Sequence, residues 1–394
     1  MKNRKAIGVF VLIVGLVSFI IYQKFHQNQI QDQPNEQQEQ INKKITEETD
    51  GIDEQVEENQ TISNDEKLAV QFVQKKMTGK YGLYTNFLDT TQKGEVATGH
   101  EILSESAGLY LCYSASRERK ADFYDVLGKT RAYLNNGALF SYRYTPKTHE
   151  KASMNASIDD LRLIRALLKG AVIFQDDALQ KETMRYGARF VKTNIKEDQL
   201  TDFYDSKTKV QAQYITLCYI DLDALKLLPM ADKQKEDLLK KQKKILTNGY
   251  LSDDFPLYKT RYDYKKKAYT DSEEINVIES LLTILHLSKE SLEDPRSIEF
   301  LKKQVAMGSL YSRYDKEGNV LDQNQSTAAY ALCALIAAVV HDQSFYQDAM
   351  NQLEKLQVKD TSTPLYGGFG NVETHESFSF DNLMALLAFT VSCQ

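Results

Sequence analysis

The feature that most constrains the fold is a long alternation between two kinds of helical pattern. Even-numbered segments are apolar around most of their circumference, as in 275–287 and 328–340, whereas the segments between them are one-sided, as in 235–246. An all-round apolar helix is buried, and a one-sided helix covers a surface. Helical periodicity predicts about twelve segments, near 64–77, 99–116, 119–134, 156–174, 176–193, 209–226, 232–246, 271–288, 294–309, 325–341, 343–357 and 376–391.

Six such pairs predict an all-α fold, an (α/α)6 barrel with six inner and six outer helices. An open α-solenoid is the alternative, but the sequence contains no solenoid repeat consensus. In a barrel of this kind the inner helices run parallel, so their N-terminal ends gather at one end. Because the helix dipoles also present their positive ends there, we expect the functional residues at the starts of the even-numbered segments.

Residues 1–62 have a different character from the barrel. Lys2, Arg4 and Lys5 precede an uncharged apolar run over 6–22, which predicts a cytoplasmic basic end and a transmembrane signal anchor over 1–24. No small-residue cleavage pattern follows, so an uncleaved anchor is favoured over a cleaved signal peptide. Residues 25–62 are predicted as a disordered polar linker, and 63–394 as the barrel domain. The expected location is the cell membrane, single-pass, with the domain outside the cell.

Composition excludes several kinds of site. The net charge of −6 argues against a nucleic-acid groove, and no Walker, G-x-S-x-G or H-E-x-x-H pattern occurs. The six histidines lack paired spacing for a metal, and we expect neither a metal nor a cofactor. The cysteines have no zinc-ligand spacing and are predicted as buried hydrophobic residues, with a disulfide between two of them as the alternative in an exported chain; they are Cys112, Cys218, Cys333 and Cys393. Catalysis by Asp or Glu side chains is the kind of site that these exclusions leave.

Acidic residues open two of the inner segments. Glu105 is followed by small residues and then an apolar helix, so burial in an apolar wall should raise its pKa, as a general acid requires. Asp160 lies at the start of the fourth segment, where the apolar positions that follow place it toward the cavity. For both residues the alternative is an ordinary first-turn carboxylate that the helix dipole stabilises.

Tyrosines crowd around acidic groups before the eighth segment. Aromatic faces with carboxylates between them suit a saccharide cleft, although a packed loop with solvated charges would show the same residues. This group comprises Tyr258, Tyr262, Asp263, Tyr264, Tyr269 and Asp271.

Three motifs resemble glycoside hydrolase family 8. Residues Ser104–Tyr110 resemble the family's S-E-[GS]-x-[GS]-Y-G-M segment, Tyr142–Arg143 resembles its W-R pair, and Ala156–Leu161 resembles A-[ST]-D-[AG]-D-L. Ile158 replaces the first Asp of the third motif, and the chain has no tryptophan. The layout is most similar to membrane-associated members of Gram-positive bacteria that degrade exopolysaccharide.

The resemblance implies an inverting glycosidase that cleaves a β-linked exopolysaccharide, with Glu105 as the general acid. The family's base is an Asp that opens a later inner helix, and here Asp263 or Asp271 matches it, with a preference for Asp271. Asp160 and Arg143 would hold the sugar at the cleavage point. The predicted stacking platforms, each of which could equally be core, are Tyr110, Tyr113, Tyr144 and Tyr262. Machinery for exopolysaccharide synthesis or export is an expected partner.

Two other functions stay open at this point. A non-catalytic polysaccharide-binding protein of an exopolysaccharide or biofilm apparatus would explain the missing first Asp and the altered base motif. A polysaccharide lyase on a similar toroid would use a Tyr or His base on uronic acids.

Overall fold

The structure is a computed structural model, and it describes residues 61–91, 97–270 and 272–393. Its helices are α1 (Asn64–Lys76), α2 (Ser104–Ser116), α3 (Lys120–Tyr133), α4 (Ser157–Ile173), α5 (Asp177–Asn194), α6 (Leu222–Lys226), α7 (Asp232–Thr247), α8 (Val277–Ser288), α9 (Pro295–Met307), α10 (Thr327–Val339), α11 (Gln343–Lys355) and α12 (Ser379–Phe389). A 3-10 helix (Leu217–Tyr219) precedes α6.

Within the same described ranges, thirteen short strands lie between these helices. They are β1 (Ile102–Leu103), β2 (Arg143–Thr145), β3 (Glu150–Lys151), β4 (Ile195–Lys196), β5 (Gln199–Leu200), β6 (Tyr204–Asp205), β7 (Val210–Gln211), β8 (Tyr214–Thr216), β9 (Arg261–Asp263), β10 (Ala268–Tyr269), β11 (Glu274–Asn276), β12 (Arg313–Asp315) and β13 (Val320–Asp322). Three antiparallel sheets have the strand orders β1-β2-β3, β10-β9-β8 and β11-β12-β13. Because β1, β8 and β11 each run into an inner helix, the sheets form a rim where those helices begin.

The even-numbered helices form a closed inner ring. In chain order, α2 packs on α4, and α4 packs on both the 3-10 helix and α6. The 3-10 helix and α6 pack on α8, which packs on α10. Helix α10 packs on α12, and α12 packs on α2 and closes the ring. Odd-numbered helices cover this ring: α3 packs on α2, α5 on α4, α7 on α6 and α8, α11 on α10, and α1 on α12. The arrangement agrees with the predicted (α/α)6 barrel.

Burial follows the two sequence patterns. In α10 all residues except Leu335 are buried, and six alanines among them let neighbouring helices approach closely. In α7, by contrast, the buried residues are Leu238, Gln242, Ile245 and Leu246, which share one face at helical spacing.

The predicted helix over 209–226 is wrong for most of its length. Strands β7 and β8, a 3-10 helix and the five-residue α6 occupy that stretch. Tyr214 and Thr216 pair with Asp263 and Arg261 of β9, and such aromatic and β-branched residues favour strands. Asp221 caps α6 by accepting a 3.1 Å hydrogen bond from the Ala224 N–H, so the helix begins only there.

Two other helix starts differ from the prediction. The second segment begins at Ser104 because β1 precedes it, and the eighth begins at Val277 because β11 precedes it. Asn276 caps α8 through its Oδ1, which accepts a 2.9 Å hydrogen bond from the Ile278 N–H. The predicted anchor, and all of the predicted linker except residues 61 and 62, lie outside the described residues. Among the helices that are described, none combines the length and apolarity needed to cross a membrane.

Candidate active site

A cavity of about 380 Å³ opens at the end of the barrel where the inner helices begin. First-turn residues of α2, α4, α8 and α12 form its wall, together with the end of the 3-10 helix. The lining residues that carry polar or aromatic groups are Glu105, Tyr142, Asp159, Arg162, Cys218, Tyr219, Asn276, Glu279 and Phe380. The helix starts therefore meet at one site, as the sequence pattern predicted.

Glu105 lies in the first turn of α2 on the wall of this cavity. Burial is the main cause that raises the pKa of Glu105 to about 7; the charge of Asp159 adds to the rise and that of Arg162 opposes it. The small residues Ser106 and Gly108 are fully packed behind it in the ring. A carboxyl group that keeps its proton near neutral pH can act as a general acid.

Asp159 is tied to the start of α2. Its Oδ2 accepts a 2.7 Å hydrogen bond from the Ser104 hydroxyl, and its Oδ1 lies 3.1 Å from Nη1 of Arg162. The backbone of Glu105 also lies near enough to lower the pKa of this carboxyl group. Burial raises the pKa of Asp159, while Arg162 and Ser104 act in the opposite direction. The Asp159–Arg162 pair thus supplies fixed charge beside Glu105.

Asp160 does not lie in the cavity wall, so the expected placement is corrected. Its side chain is buried, accepting hydrogen bonds from Asn155 and from the Tyr186 hydroxyl. Burial raises the pKa of Asp160 to about 8 despite these bonds. Successive helical residues differ in direction by about 100°, so only one of two adjacent aspartates can point inward. That residue is Asp159.

The predicted sugar-binding residues also lie away from the cavity lining. Tyr110 packs toward Gln74 and Arg119, and Tyr113 donates a 3.0 Å hydrogen bond to buried Glu66. Both tyrosines are core residues between α2 and the outer helices. Their helix, α2, is buried on its outer face as well, which is why aromatic content alone could not distinguish core from cleft.

Residues on the rim strands form local clusters instead. Tyr144 packs among Tyr81, Tyr133 and His149, and Tyr262 packs against Tyr264 and Tyr269. The guanidinium of Arg143 lies 3.7 Å from Glu101 and 5.4 Å from the centre of the Tyr142 ring.

The two aspartates predicted as the base have different outcomes. Asp263 lies in β9, and its side chain accepts a 2.8 Å hydrogen bond from the Lys266 N–H in the turn to β10. It is not among the residues that line the cavity. Asp271 lies outside the described residues, so its role stays a prediction.

The comparisons with known proteins place this chain in a family. The chain is 31% identical to a novel α-amylase from Clostridium perfringens, over 83% of this chain and 97% of that one, with a TM-score of 0.75. PssZ from Listeria monocytogenes is 21% identical over 85% and 97% of the two chains, with a TM-score of 0.66. The endoglucanase Cel10 from Klebsiella pneumoniae, a family 8 glycosyl hydrolase, is 13% identical over 73% and 97%, with a TM-score of 0.55.

The chain belongs to the family 8 type of glycosidase. It is an enzyme, because the α-amylase that is 31% identical to it is a glycosidase. The two chains align over 83% of this chain and 97% of the α-amylase. No protein-family model matches the chain, and no curated protein matches its sequence.

In this glycosidase the aromatic residues of the cavity are Tyr142, Tyr219 and Phe380. None of the three was among the predicted sugar-binding residues. Tyr142 could have been found, since it stands where the family's W-R motif has its tryptophan. Tyr219 lies in the segment 209–226, which was wrongly predicted as one helix, and Phe380 lies in the last helix. No motif marks either residue.

A second cavity, of about 230 Å³, lies at the opposite end of the glycosidase barrel. Its walls are mostly apolar and come from the last turns of the inner helices. Both cavities are lined by Ile158, Arg162 and Leu282, so these three side chains separate them. Within the described ranges no group of three or more His, Cys, Asp or Glu residues could hold a metal ion.

Proposed function

We propose that this glycosidase hydrolyses a β-linked exopolysaccharide by single displacement with inversion, with Glu105 as the general acid. The observation that carries the proposal is the position of Glu105, a carboxyl group with a pKa raised to about 7 on the wall of a solvent-accessible cavity. The glycosidic oxygen must be protonated as it leaves, so the enzyme requires an acid that keeps its proton near neutral pH.

The reaction follows from this placement. Glu105 donates its proton to the glycosidic oxygen as the bond from that oxygen to the anomeric carbon breaks. A water molecule attacks the same carbon from the opposite face, and a second carboxylate accepts its proton. Inverting glycosidases separate the two carboxyl groups by roughly 6.5–9.5 Å to admit that water.

Charge and aromatic faces in the cavity suit a sugar at the cleavage point. Asp159 and Arg162 present a carboxylate and a guanidinium beside Glu105, and both groups can hydrogen bond to sugar hydroxyls. Tyr142 and Tyr219 line the same cavity and bring aromatic rings to it.

The linkage has two candidates. A β-linked polymer is favoured by the resemblance to family 8 and by the endoglucanase that shares the fold. An α-glucan is the second candidate, because the relative that shares 31% identity is an α-amylase. Single displacement inverts either anomer, so the arrangement of carboxyl groups alone does not choose between them.

The test is reducing-sugar release by the full chain and by its Glu105→Gln variant. Substrates would be the host's exopolysaccharide, β-glucans, xylan, hexosamine polymers and amylose. Release by the wild type that falls about 10²–10⁴-fold in the variant supports the proposal, and proton NMR of the first product anomer checks inversion. Absence of release from every polymer, with equal polymer binding by both proteins, would favour the binding function instead.

We propose an extracellular location for the domain, with the N-terminal segment as a single-pass anchor. The support is the cationic flank and apolar run of residues 2–22. Protease treatment of intact cells should remove the domain if it is outside, and carbonate extraction should leave the chain in the membrane fraction. Protection from protease would overturn the location. Exopolysaccharide export machinery is a proposed partner, to be tested by crosslinking in those cells.

A further inference from the structure

We propose that Glu279 is the general base of this glycosidase, in place of either aspartate of the altered family motif. The inference rests on the proposed function, since it assigns the second carboxylate of that reaction. Its basis is the position of Glu279 across the cavity from Glu105.

Three carboxylates line the cavity among the residues that the structure describes: Glu105, Asp159 and Glu279. Asp159 lies on the acid's own side, because it accepts a hydrogen bond from the hydroxyl of Ser104, the residue before Glu105. Its other oxygen faces Arg162. A group held against the acid cannot also activate a water on the far face of the sugar.

Ring order places Glu279 opposite Glu105. The inner ring runs α2, α4, α6, α8, α10, α12 and closes on itself, so α8 is three positions from α2 in either direction. Glu105 and Glu279 both lie in the first turn of their helices, at the same end of the barrel. Two first-turn carboxylates on diametrically opposed helices face one another across the cavity that both line.

The surroundings of Glu279 suit a base. Its side chain is half-buried, and Thr260 and Arg261 lie near enough to act on its charge. Arg261 is itself held over the Tyr214 ring, 4.1 Å from its centre. Burial raises the pKa of Glu279, while Thr260 and Arg261 act in the opposite direction and favour the ionised form. The start of α8 is fixed because Asn276 caps it.

Glu105 and Glu279 together account for both proton transfers of the reaction. Glu279 as carboxylate takes one proton from water as the water oxygen bonds to the anomeric carbon. Glu105 gives one proton to the leaving oxygen. The pair ends with Glu279 protonated and Glu105 ionised, and exchange with solvent restores the starting forms.

The experiment compares Glu279→Gln and Glu105→Gln on two substrates of whichever linkage the wild type cleaves. One is the polymer, and the other is an oligosaccharide with a dinitrophenyl leaving group that needs no acid. We expect both variants to lose about 10²–10⁴-fold on the polymer. On the activated substrate only Glu105→Gln should recover its rate of hydrolysis, because the leaving group needs no acid. Glu279→Gln should stay slow, because the attacking water still needs a base.

A matched control is Glu274→Gln, which removes an exposed carboxylate five residues away and should leave the rate within twofold. Azide should restore turnover to Glu279→Ala on the activated substrate, giving a glycosyl azide of inverted configuration. Thermal melting and polymer binding of each variant separate loss of chemistry from loss of fold.

The outcomes separate the two proposals. If the wild type hydrolyses no polymer, the proposed function fails. If the wild type is active and Glu279→Gln stays within threefold of it, the base assignment alone fails. Loss in Asp271→Asn together with activity in Glu279→Gln would return the base to Asp271.

Discussion

The hydroxyl of Ser104 donates a 2.7 Å hydrogen bond to Oδ2 of Asp159, and this bond joins the first turns of α2 and α4. Ser104 immediately precedes Glu105, so the bond fixes the residue that carries the acid. In the proposed mechanism the serine of the Ser-Glu motif would be a positioning residue, which acts on catalysis through the geometry of its neighbours.

Replacing Ser104 by Ala should lower kcat/KM by about tenfold, since a buried acceptor on Asp159 loses its partner at a cost of ~1–3 kcal/mol. The matched control is Ser114→Ala in the same helix. The Ser114 hydroxyl is also buried but has no hydrogen-bond partner among the described residues. Steady-state kinetics of both variants checks the prediction, and equal losses would show that Ser104 has no special role.

The activity should fall as the pH rises through about 7, because the general acid must keep its proton and the pKa of Glu105 is about 7. Asp159→Asn removes a negative charge that raises this pKa, so the alkaline limb should move to lower pH. The control is Asp160→Asn, which changes the adjacent residue outside the cavity wall and should leave the limb in place. Profiles of kcat/KM from pH 4 to 9 measure both.

Glu105→Gln should make the protein more stable than the wild type at pH 8 and equally stable at pH 4. Folding raises the pKa of Glu105 from 4.5 to about 7, so the unfolded chain loses this proton first as pH rises. The wild type therefore loses stability between those values, by about 1–3 kcal/mol. Urea unfolding at both pH values measures it, with exposed Glu274→Gln as the variant in which no such difference should develop.

Tyr219→Ala should raise KM by about tenfold, or ~1.4 kcal/mol, because a ring face is removed from the cavity. Tyr113→Phe should leave KM unchanged and lower stability, since the lost hydroxyl bonds to Glu66, which is also paired with Arg117. Kinetics and thermal melting of the two variants separate a substrate contact from a core contact. A rise of KM in Tyr113→Phe would contradict the placement of that tyrosine.

Sequence patterns could predict the ring and the buried position of Glu105 because both depend on local features. All-round apolarity marks inner helices such as α10, and a carboxylate followed by small residues marks Glu105. The choice between Asp159 and Asp160 depends on the rotation of α4 about its axis. That rotation is set by packing against α2 and α5, which periodicity does not specify to one residue.

The position of Tyr219 and the start of α6 could not be predicted for another reason. The segment 210–219 contains apolar residues at spacings that suit either a helix or strands, and only pairing with β9 decides. Tyr219 reaches the cavity because of that pairing. Glu279 was passed over because the helix was predicted to start at 271, which made Asp271 the opening residue.

The ring closes where α12 packs on α2, with the Ser106 and Ser379 hydroxyls 2.8 Å apart and Phe380 in the cavity wall. These residues are separated by most of the chain, so the first-made and last-made inner helices must meet before a cleft exists. A nascent chain that still lacks α12 has an open arc of helices with an exposed apolar edge. Hydrolysis can therefore begin only after α12 has docked against α2.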